Sequence, residues 1–320
     1  MFCIFLCFFA FQLCSHSIVF VHLGKTVPSY LPIAIQQARL FNKECPIYLI
    51  HNEGAVLSIP PEMNITSIHC ESLTKSSYHN TFSTASKLDK CSLNGFWFYT
   101  TERFYYLHEF IKEYDLKDVF HLENDVMLYC NLTDLLPTFH AFYKNMIGAT
   151  YEGVERCVPG FIYISDIKPM DELISFVAGR INLNETDMDS VGRFINYYHK
   201  VYIDTLPVVF PDYEMKRGFR FPVPDSRFSN HFEHFDSIFD AAAMGQYLGG
   251  DSPVHNNSST PGFVNLLSVY NSSHFTFEWE FDGEGRRIPF ILFEGEKKRL
   301  NNLHIHSKKL HEFCSLLEVN

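Results

Sequence analysis

An acidic triplet interrupts a strongly apolar segment near the middle of the chain. Residues 119–122 (VFHL) lead into Glu123, Asn124 and Asp125, and residues 126–128 (VML) follow them. Burial disfavours charged side chains that lack a partner, so two carboxylates in such a segment indicate a site. Because one residue separates Glu123 from Asp125, both carboxylates project from one side of an extended chain and can reach one divalent cation. The alternative is that they merely end a strand in a solvated turn.

The segments before the triplet predict alternating strands and helices. Residues 18–23 and 46–50 read as strands, and residues 32–41 between them read as a helix with Pro32 near its start. This spacing is typical of a right-handed parallel crossover. A helix over 95–114 precedes the strand 119–122. We therefore predict an α/β fold with a mixed, mostly parallel central sheet flanked by helices, and place the triplet at a strand's carboxyl end, where such sheets bind ligands.

Composition and charge limit the class of protein. The chain has 320 residues, of which 46% are hydrophobic, which is enough for a substantial core in one large domain or two modest ones. There are 26 Lys and Arg against 37 Asp and Glu, giving a net charge of −11, and no long basic stripe. Nucleic acid is therefore not an expected partner.

The first 15 residues form a hydrophobic leader that reads as a possible signal peptide. The apolar run is shorter than the ~20 residues that span a bilayer, and no Lys or Arg precedes it. A misassigned start or a buried first strand is the alternative. Six N-x-S/T sequons begin at Asn64, Asn131, Asn184, Asn256, Asn257 and Asn271. We expect the lumen of the secretory pathway (ER or Golgi) or secretion, with possible membrane association through the leader, and a cytoplasmic location as the alternative.

The cysteines leave their pairing open. Three of the nine lie in the leader, and the remaining six form an even set without a C-x-x-C pair: Cys45, Cys70, Cys91, Cys130, Cys157 and Cys314. Six cysteines allow 15 pairings, and buried reduced thiols explain them as well as disulfides do.

The second half of the chain predicts a strand over 161–165, after Pro159 and Gly160, and helices over 169–180 and 189–199. Residues 211–234 lack periodicity and predict a long ordered loop of the kind that is often functional. A short helix over 239–248 follows, ended by two glycines. If that helix includes residue 236, Asp236 and Asp240 share one of its faces.

Three segments together resemble the GT-A-type glycosyltransferases that use nucleotide sugars. They are the acidic segment HLENDVMLY (121–129), the glycine-bearing strand VPGFIYIS (158–165) and the late HIHSK (304–308), and the resemblance spans residues 18–309. It implies a Rossmann-like GT-A fold in a single domain over 16–320, with a nucleotide-binding half at about 16–130 and an acceptor half at about 131–320. The triplet begins with Glu where D-x-D is commoner, so Asp125 is the safer ligand, and Glu123 has the ribose or a water as alternative partners.

The resemblance implies a metal site that takes a third ligand from HIHSK. In an extended strand His304 and His306 face one side, and a histidine joined to carboxylates favours Mn²⁺ over Mg²⁺. We select His306 as this ligand and regard His304 as structural. Lys308 would neutralise the donor diphosphate as it leaves. A polar terminal strand with solvated His and Lys is the alternative.

The resemblance also implies positions for the donor. His22, Gly24 and Lys25 would cradle the nucleotide of a donor that we take first to be a UDP-sugar, with Lys87 or Arg103 near its base or phosphate. Gly160 would let the backbone approach the donor sugar. A solvated or ion-paired arginine and a turn glycine are the ordinary explanations for Arg103 and Gly160.

On the acceptor side, Asp240 would bind or deprotonate a hydroxyl of a glycan, protein or lipid, with Asp236 and Asp251 close by. A helix cap is the ordinary role of an Asp there. Two other functions compete. A glycoside hydrolase is disfavoured, because carboxylates one residue apart rarely flank a glycosidic bond. The second is a catalytically inactive glycosyltransferase-like protein that binds carbohydrate or nucleotide, or serves interaction.

Overall fold

A computed structural model describes residues 15–213, 226–251 and 260–316. The leader through residue 14, the sequons at Asn256 and Asn257, and part of the predicted 211–234 loop lie outside these residues. Along the described part of the chain, no helix is both long and apolar enough to cross a bilayer. The six cysteines after the leader are all free thiols.

The first part of the chain forms five strands and three helices. The strands are β1 (Ser17–His22), β2 (Ile47–His51), β3 (Ile65–His69), β4 (Val119–Leu122) and β5 (Val126–Leu128). The helices are α1 (Leu31–Phe41), α2 (Ser77–Ala85) and α3 (Phe96–Glu113). The predicted strand–helix–strand unit is confirmed, since β1 and β2 pair in parallel on either side of α1. Proline in the first turn suits the start of α1, where a backbone N–H has no helical partner.

The remaining elements run from α4 to β13. They are α4 (Leu132–Phe142), β6 (Ile147–Gly153), β7 (Arg156–Ile164), α5 (Ile167–Gly179), α6 (Asp187–Tyr198), β8 (Ile203–Thr205), α7 (Phe232–Phe235), β9 (Ser237–Ile238), α8 (Ala243–Gly249), β10 (Thr276–Phe281), β11 (Arg287–Phe293), β12 (Glu296–Leu300) and β13 (Asn302–His304). A capping box fixes the start of α6: Thr186 accepts from the backbone N–H of Asp189, and the Asp189 side chain accepts from that of Thr186.

The central sheet has seven strands in the order β3-β2-β1-β4-β7-β6-β8. Strands β3, β2, β1 and β4 are parallel, β7 is antiparallel to both β4 and β6, and β8 is parallel to β6. The predicted mixed, mostly parallel sheet flanked by helices is therefore confirmed. Strand β4, fully buried like most of β1, ends in the middle of this sheet. The acidic triplet consequently begins where the carboxyl ends of the parallel strands meet.

Two smaller sheets close the fold. Strands β10, β11, β12 and β9 form one of them, and β13 pairs antiparallel with β5, directly after the triplet. The predicted helix over 239–248 begins later than expected, at Ala243, because Ala242 before it is left-handed, with a φ of 74°; residues 237–238 pair with β12 as a strand. The expectation that Asp236 and Asp240 share a helical face is therefore wrong. Asp236 lies after α7 in a left-handed conformation, and Asp240 lies between β9 and α8.

A buried histidine joins α2 to α3. His79 is fully buried, with Nδ1 2.9 Å from Oε2 of Glu109 and Nε2 3.2 Å from Oε1 of Glu102. Burial alone would lower the pKa of His79, but hydrogen bonds and charges from the two glutamates outweigh it and raise the pKa above the ordinary 6.5. The imidazolium thus links two buried carboxylates, one from each end of its ring.

The raised pKa of His79 predicts a pH-dependent contribution to stability. A histidine whose pKa is higher in the folded state stabilises fully below its unfolded pKa, and this contribution is lost as the pH rises through the folded value. We expect the free energy of unfolding of wild type, relative to His79→Gln, to be largest below pH 6.5 and to fall as the pH rises. Urea unfolding of both proteins between pH 5.5 and about pH 9 measures it. A difference that is constant over this range would contradict the charged pair.

Candidate active site

The acidic triplet is held by backbone hydrogen bonds from two other strands. The N–H of Glu123 donates to the carbonyl of Gly160 in β7, at 2.9 Å. The N–H of Ile305, just after β13, donates to the carbonyl of Asp125, also at 2.9 Å. Because β13 pairs with β5 so that His304 lies opposite Val126, the late histidine segment is brought to the triplet. Three chain segments that are distant in sequence therefore meet at one end of the central sheet.

Glu123, Asp125 and His304 form a compact cluster of potential metal ligands. Nε2 of His304 lies 3.0 Å from Oε2 of Glu123 and 3.1 Å from Oδ1 of Asp125. One ligand atom from each residue falls within 4.8 Å of the others. Two carboxylate oxygens and an imidazole nitrogen form a donor set that suits Mn²⁺ and accommodates Mg²⁺. The residues present thus fit the divalent cation that the sequence predicts, with His304 as the nitrogen ligand.

Two further cations contact the carboxylates of this cluster. The Arg103 guanidinium contacts Glu123 through Nη1, and its Nη2 lies 2.8 Å from Oδ2 of Asp187 at the start of α6. The Lys308 ammonium contacts Asp125, and the side chains of Arg103 and Lys308 are 8% and 33% exposed. The difference in exposure matters, because the buried Arg103 is fixed between the partly buried Glu123 and the buried Asp187, whereas Lys308 lies at the open side of the cluster.

These contacts keep both carboxylates ionised. Burial by itself would raise the pKa of Glu123, but Arg103 and His304 outweigh burial and hold it well below its ordinary value. The pKa of Asp125 is lowered against burial in the same way, by His304 and Lys308. Conversely, burial would lower the pKa of His304, yet Asp125 and Glu123 raise it to about 10. The site therefore concentrates negative charge that is balanced by neighbouring cations.

The two histidines of HIHSK occupy different surroundings. Strand β13 ends at His304, and the chain then turns, so His306 does not continue the alternation expected of an extended strand. Nδ1 of His306 lies 2.9 Å from Nε2 of Gln246 and 3.5 Å from Oδ1 of Asp251, and its ring packs edge-on against His304. Burial, followed by the charge of His304, lowers its pKa to about 4. His304 therefore lies beside the two carboxylates, whereas His306 is the metal ligand predicted from the sequence.

Gly160 lies against His304. A Cβ at this position would be 2.6 Å from Nδ1 of His304, which is closer than side chains approach, and 3.3 Å from Cγ2 of Val126, which is a tight contact. His304 Nδ1 is itself buried and, among the described residues, has no hydrogen-bond partner. The group that packs closely against Gly160 is therefore the His304 ring, whereas the sequence predicts a donor sugar there. The sugar contact of Gly160 stays a prediction.

This packing predicts the effect of Gly160→Ala. The added methyl group would displace the His304 ring, so we expect Mn²⁺ affinity to fall about tenfold or more and stability to fall by about 1–3 kcal/mol. Mn²⁺ titration followed by electron paramagnetic resonance, together with urea unfolding, measures both. Gly283→Ala is the control, because a Cβ there meets no atom within 4 Å. Equal Mn²⁺ affinity in the two variants would contradict the packing role.

Asp240 is placed to hold the cluster together. It is 2% exposed, and its carboxylate accepts backbone hydrogen bonds from Met244 at 3.0 Å, Gly245 at 2.9 Å and His304 at 3.0 Å. These contacts join the first turn of α8 to the strand that carries His304. Both carboxylate oxygens are thus engaged, which corresponds to the capping role weighed for it from the sequence. Its role toward an acceptor hydroxyl stays a prediction.

The residues predicted to cradle the nucleotide are only partly brought to the cluster. His22 ends β1, and its Nδ1 lies 3.3 Å from Nδ2 of Asn124 in the triplet. The N–H of Gly24 donates to Oδ1 of Asn52 at 2.7 Å. Lys25 and Lys87 are exposed, and within the described residues neither forms an ion pair with the carboxylates. Their nucleotide contacts stay predictions.

A polar chain that the sequence did not reveal leads from His306 into the protein. The amide of Gln246 lies between Asp251 and His306, and Asn265 donates to Oε1 of Gln246 at 2.9 Å and to Oε1 of Glu152 at 2.6 Å. Burial, opposed by Arg156, raises the pKa of Glu152 to about 7. These residues come from four separate segments with no shared motif, so only the folded chain brings them together.

Comparisons with known proteins give similarity in structure alone. No protein-family model and no curated protein matches the sequence. The chain is similar to mouse xyloside xylosyltransferase 1 in its apo form, at 9% identity over 63% of this chain and 90% of that one, with a TM-score of 0.45. It is also similar to the galactosyltransferase LgtC in complex with donor and acceptor sugar analogues, at 16% identity over 67% and 83%, with a TM-score of 0.43.

A third similar structure is the glycosyltransferase GlyE of Streptococcus pneumoniae, at 18% identity over 61% of this chain and 45% of that one, with a TM-score of 0.36. All three proteins are glycosyltransferases, the class that the sequence motifs resemble. Since every TM-score is below 0.5, the activity of this chain rests on its own residues. The expected α/β fold is confirmed in its mixed, mainly parallel sheet.

Proposed function

We propose that the protein is a glycosyltransferase that moves a sugar from a nucleoside diphosphate donor to an acceptor hydroxyl and depends on a divalent cation. The observation that supports this most is the Glu123, Asp125 and His304 cluster at the carboxyl ends of the parallel strands, with Lys308 at its open side. Mn²⁺ is the cation that this donor set suits best, and a UDP-sugar is the donor to test first.

The reaction breaks the bond between the anomeric carbon and a diphosphate oxygen, and the electron pair leaves with the nucleoside diphosphate. A new bond forms between the anomeric carbon and the acceptor oxygen, whose proton is released. A bound cation supplies positive charge to the departing diphosphate. Glu123, Asp125 and His304 would hold that cation, and Lys308 adds a positive charge beside Asp125 that can neutralise the same leaving group.

The supporting residues keep this arrangement fixed. Arg103 orients the Glu123 carboxylate, and Asp240 anchors the backbone of His304. Preorganised charges of this kind stabilise a transition state without moving during the reaction. The longer side chain of Glu123, relative to the commoner aspartate, is accommodated because Arg103 reaches it from α3.

Calorimetric titration with UDP and then GDP, with and without Mn²⁺, tests the proposal. We expect one nucleotide to bind only with Mn²⁺, and Asp125→Asn to abolish that binding. Asp282→Asn is the matched control, because this acid pairs locally with Arg286 in the turn between β10 and β11. If neither nucleotide bound under any metal condition, the assignment of a donor site would be contradicted. The catalytically inactive interaction protein would then be the favoured alternative.

A further inference from the structure

The turn before α3 has an unusual backbone. Leu93, Asn94 and Gly95 have φ angles of 49°, 57° and 77°, so three consecutive residues are left-handed. Left-handed Leu in particular is costly, and such strain persists where the surroundings require it, often at ligand clamps. The turn places Gly95 under the ring of Tyr99, since a Cβ on Gly95 would lie 2.9 Å from Tyr99 Cε2. The strained turn therefore fixes the position of an aromatic ring.

Two aromatic side chains beside this turn are exposed. Phe96 is 43% and Tyr99 38% exposed, although most aromatic residues of α3 are buried. The Phe96 ring also contacts that of Trp97, with ring centroids 4.9 Å apart. Exposure of large aromatic side chains next to a strained turn is not explained by core packing.

The exposed rings lie on the helical face that carries Arg103. Residues 96, 99 and 103 are spaced by three and four, which places them on one side of α3. Arg103 contacts Glu123 in the metal cluster. With a rise of about 1.5 Å per residue, Tyr99 lies about 6 Å and Phe96 about 10 Å further along the helix axis. Since α3 runs toward the amino end of β4, these rings extend beyond the carboxyl ends of the strands, on the cluster's side.

We propose that Phe96 and Tyr99 form a stacking surface for a pyranose ring of the acceptor, next to the metal cluster. This inference rests on the proposed glycosyltransferase function. A pyranose presents apolar C–H groups on its faces and hydroxyl groups at its edge. Aromatic rings suit such a ligand, because their faces are apolar and carry partial negative charge, and the tyrosine hydroxyl adds a hydrogen-bonding group. An acceptor held there reaches toward the cluster along the α3 face.

Saturation-transfer NMR on the full protein with Mn²⁺ and UDP tests this surface. The probes are methyl β-D-galactopyranoside, methyl β-D-xylopyranoside and methyl α-D-mannopyranoside, with glycerol as a polyol control. We expect transfer to ring C–H protons of at least one pyranoside and none to glycerol. Phe96→Ala with Tyr99→Ala should weaken that binding roughly tenfold, as loss of aromatic contacts of this size predicts. Phe96→Leu keeps apolar volume, and weakened binding there would isolate the ring's own contribution.

Tyr114→Ala is the matched control, because Tyr114 is 46% exposed at the opposite end of the same helix. It should leave saccharide binding unchanged, and UDP binding with Mn²⁺ should remain in all variants. Absence of any pyranoside signal, unchanged binding in the double variant, or equal loss in Tyr114→Ala would overturn the stacking surface. If wild type bound neither UDP nor GDP with Mn²⁺, the proposed function would fail instead, which calorimetry without saccharide shows separately.

Discussion

Replacing His304 with alanine is expected to weaken Mn²⁺ binding about 100-fold, whereas His306→Ala should weaken it about tenfold or less. His304 Nε2 is about 3 Å from an oxygen of each carboxylate, at 3.0 and 3.1 Å, while His306 contacts Gln246 and Asp251. Removing His304 would therefore remove one of the three proposed ligands, and removing His306 would only loosen a ring packed against it. Mn²⁺ titration of the purified protein, followed by the electron paramagnetic resonance of the free ion, measures both affinities.

His311→Ala provides the control for this comparison, because its side chain is 70% exposed and pairs only weakly with Glu312 at 4.0 Å. It should bind Mn²⁺ as wild type does. A larger loss of Mn²⁺ affinity in His306→Ala than in His304→Ala would support His306, the residue predicted from the sequence, as the metal ligand. It would also require the turn after β13 to rearrange when the cation binds.

The choice between these two histidines shows what a sequence pattern could not resolve here. Period-two alternation makes His304 and His306 equivalent as long as the strand continues. The strand instead ends at His304, and the chain turns at residues 306–307. Lys308, the next residue, has a left-handed φ of 63°. That ending depends on tertiary contacts, such as the hydrogen bond from Ile305 to Asp125, which no local sequence signal encodes.

Some elements of the fold likewise follow from local sequence signals, whereas others depend on pairing between distant segments. The β1, α1 and β2 unit and the strand β4 follow from short apolar runs and helix signals, and the sequence predicts them within a few residues. The β5 and β13 pair joins residues more than 170 apart, with Asn302 opposite Leu128. Such a pair leaves no periodic signal, yet it brings His304 to the triplet. The sequence thus indicates two carboxylates of the cluster, and the long-range pairing selects the third member.

Arg103 is also explained only by its contacts. From the sequence, a helical arginine is ordinarily solvated or ion-paired, and nucleotide contact was the functional hypothesis. The structure places its guanidinium between Glu123 and Asp187, with its side chain 8% exposed. Burial raises the pKa of the Asp187 carboxyl, and the charge of the Arg103 guanidinium opposes this rise. Arg103 is thus the cation that pairs with the buried Asp187 and, together with His304, balances the charge of Glu123.

Replacing Arg103 with methionine is therefore expected to lower the free energy of unfolding by about 3–5 kcal/mol, because it leaves the buried Asp187 carboxylate without the guanidinium that pairs with it, while Glu123 keeps only its contact with His304. Urea unfolding at pH 7 measures the loss. Arg193→Met is the control, since Arg193 is 36% exposed and pairs with the exposed Glu155 and with Glu185, which keeps Arg180 as a second cation, so its loss should cost about 1 kcal/mol or less.

Neutralising Glu123 and Asp187 in the Arg103→Met background separates the effect of lost charge on stability from the effect of lost packing. Glu123→Gln and Asp187→Asn remove the charges of both partners of the guanidinium while nearly preserving volume, so they should recover part of the lost stability without recovering Mn²⁺ binding. If the single Arg103→Met variant were no less stable than Arg193→Met, the guanidinium would not be the cation that balances these acids. If the triple variant recovered nothing, lost packing of the arginine stem would account for the effect. Recovery of stability without metal affinity would show that one residue both holds the fold together at this point and sets the orientation of Glu123.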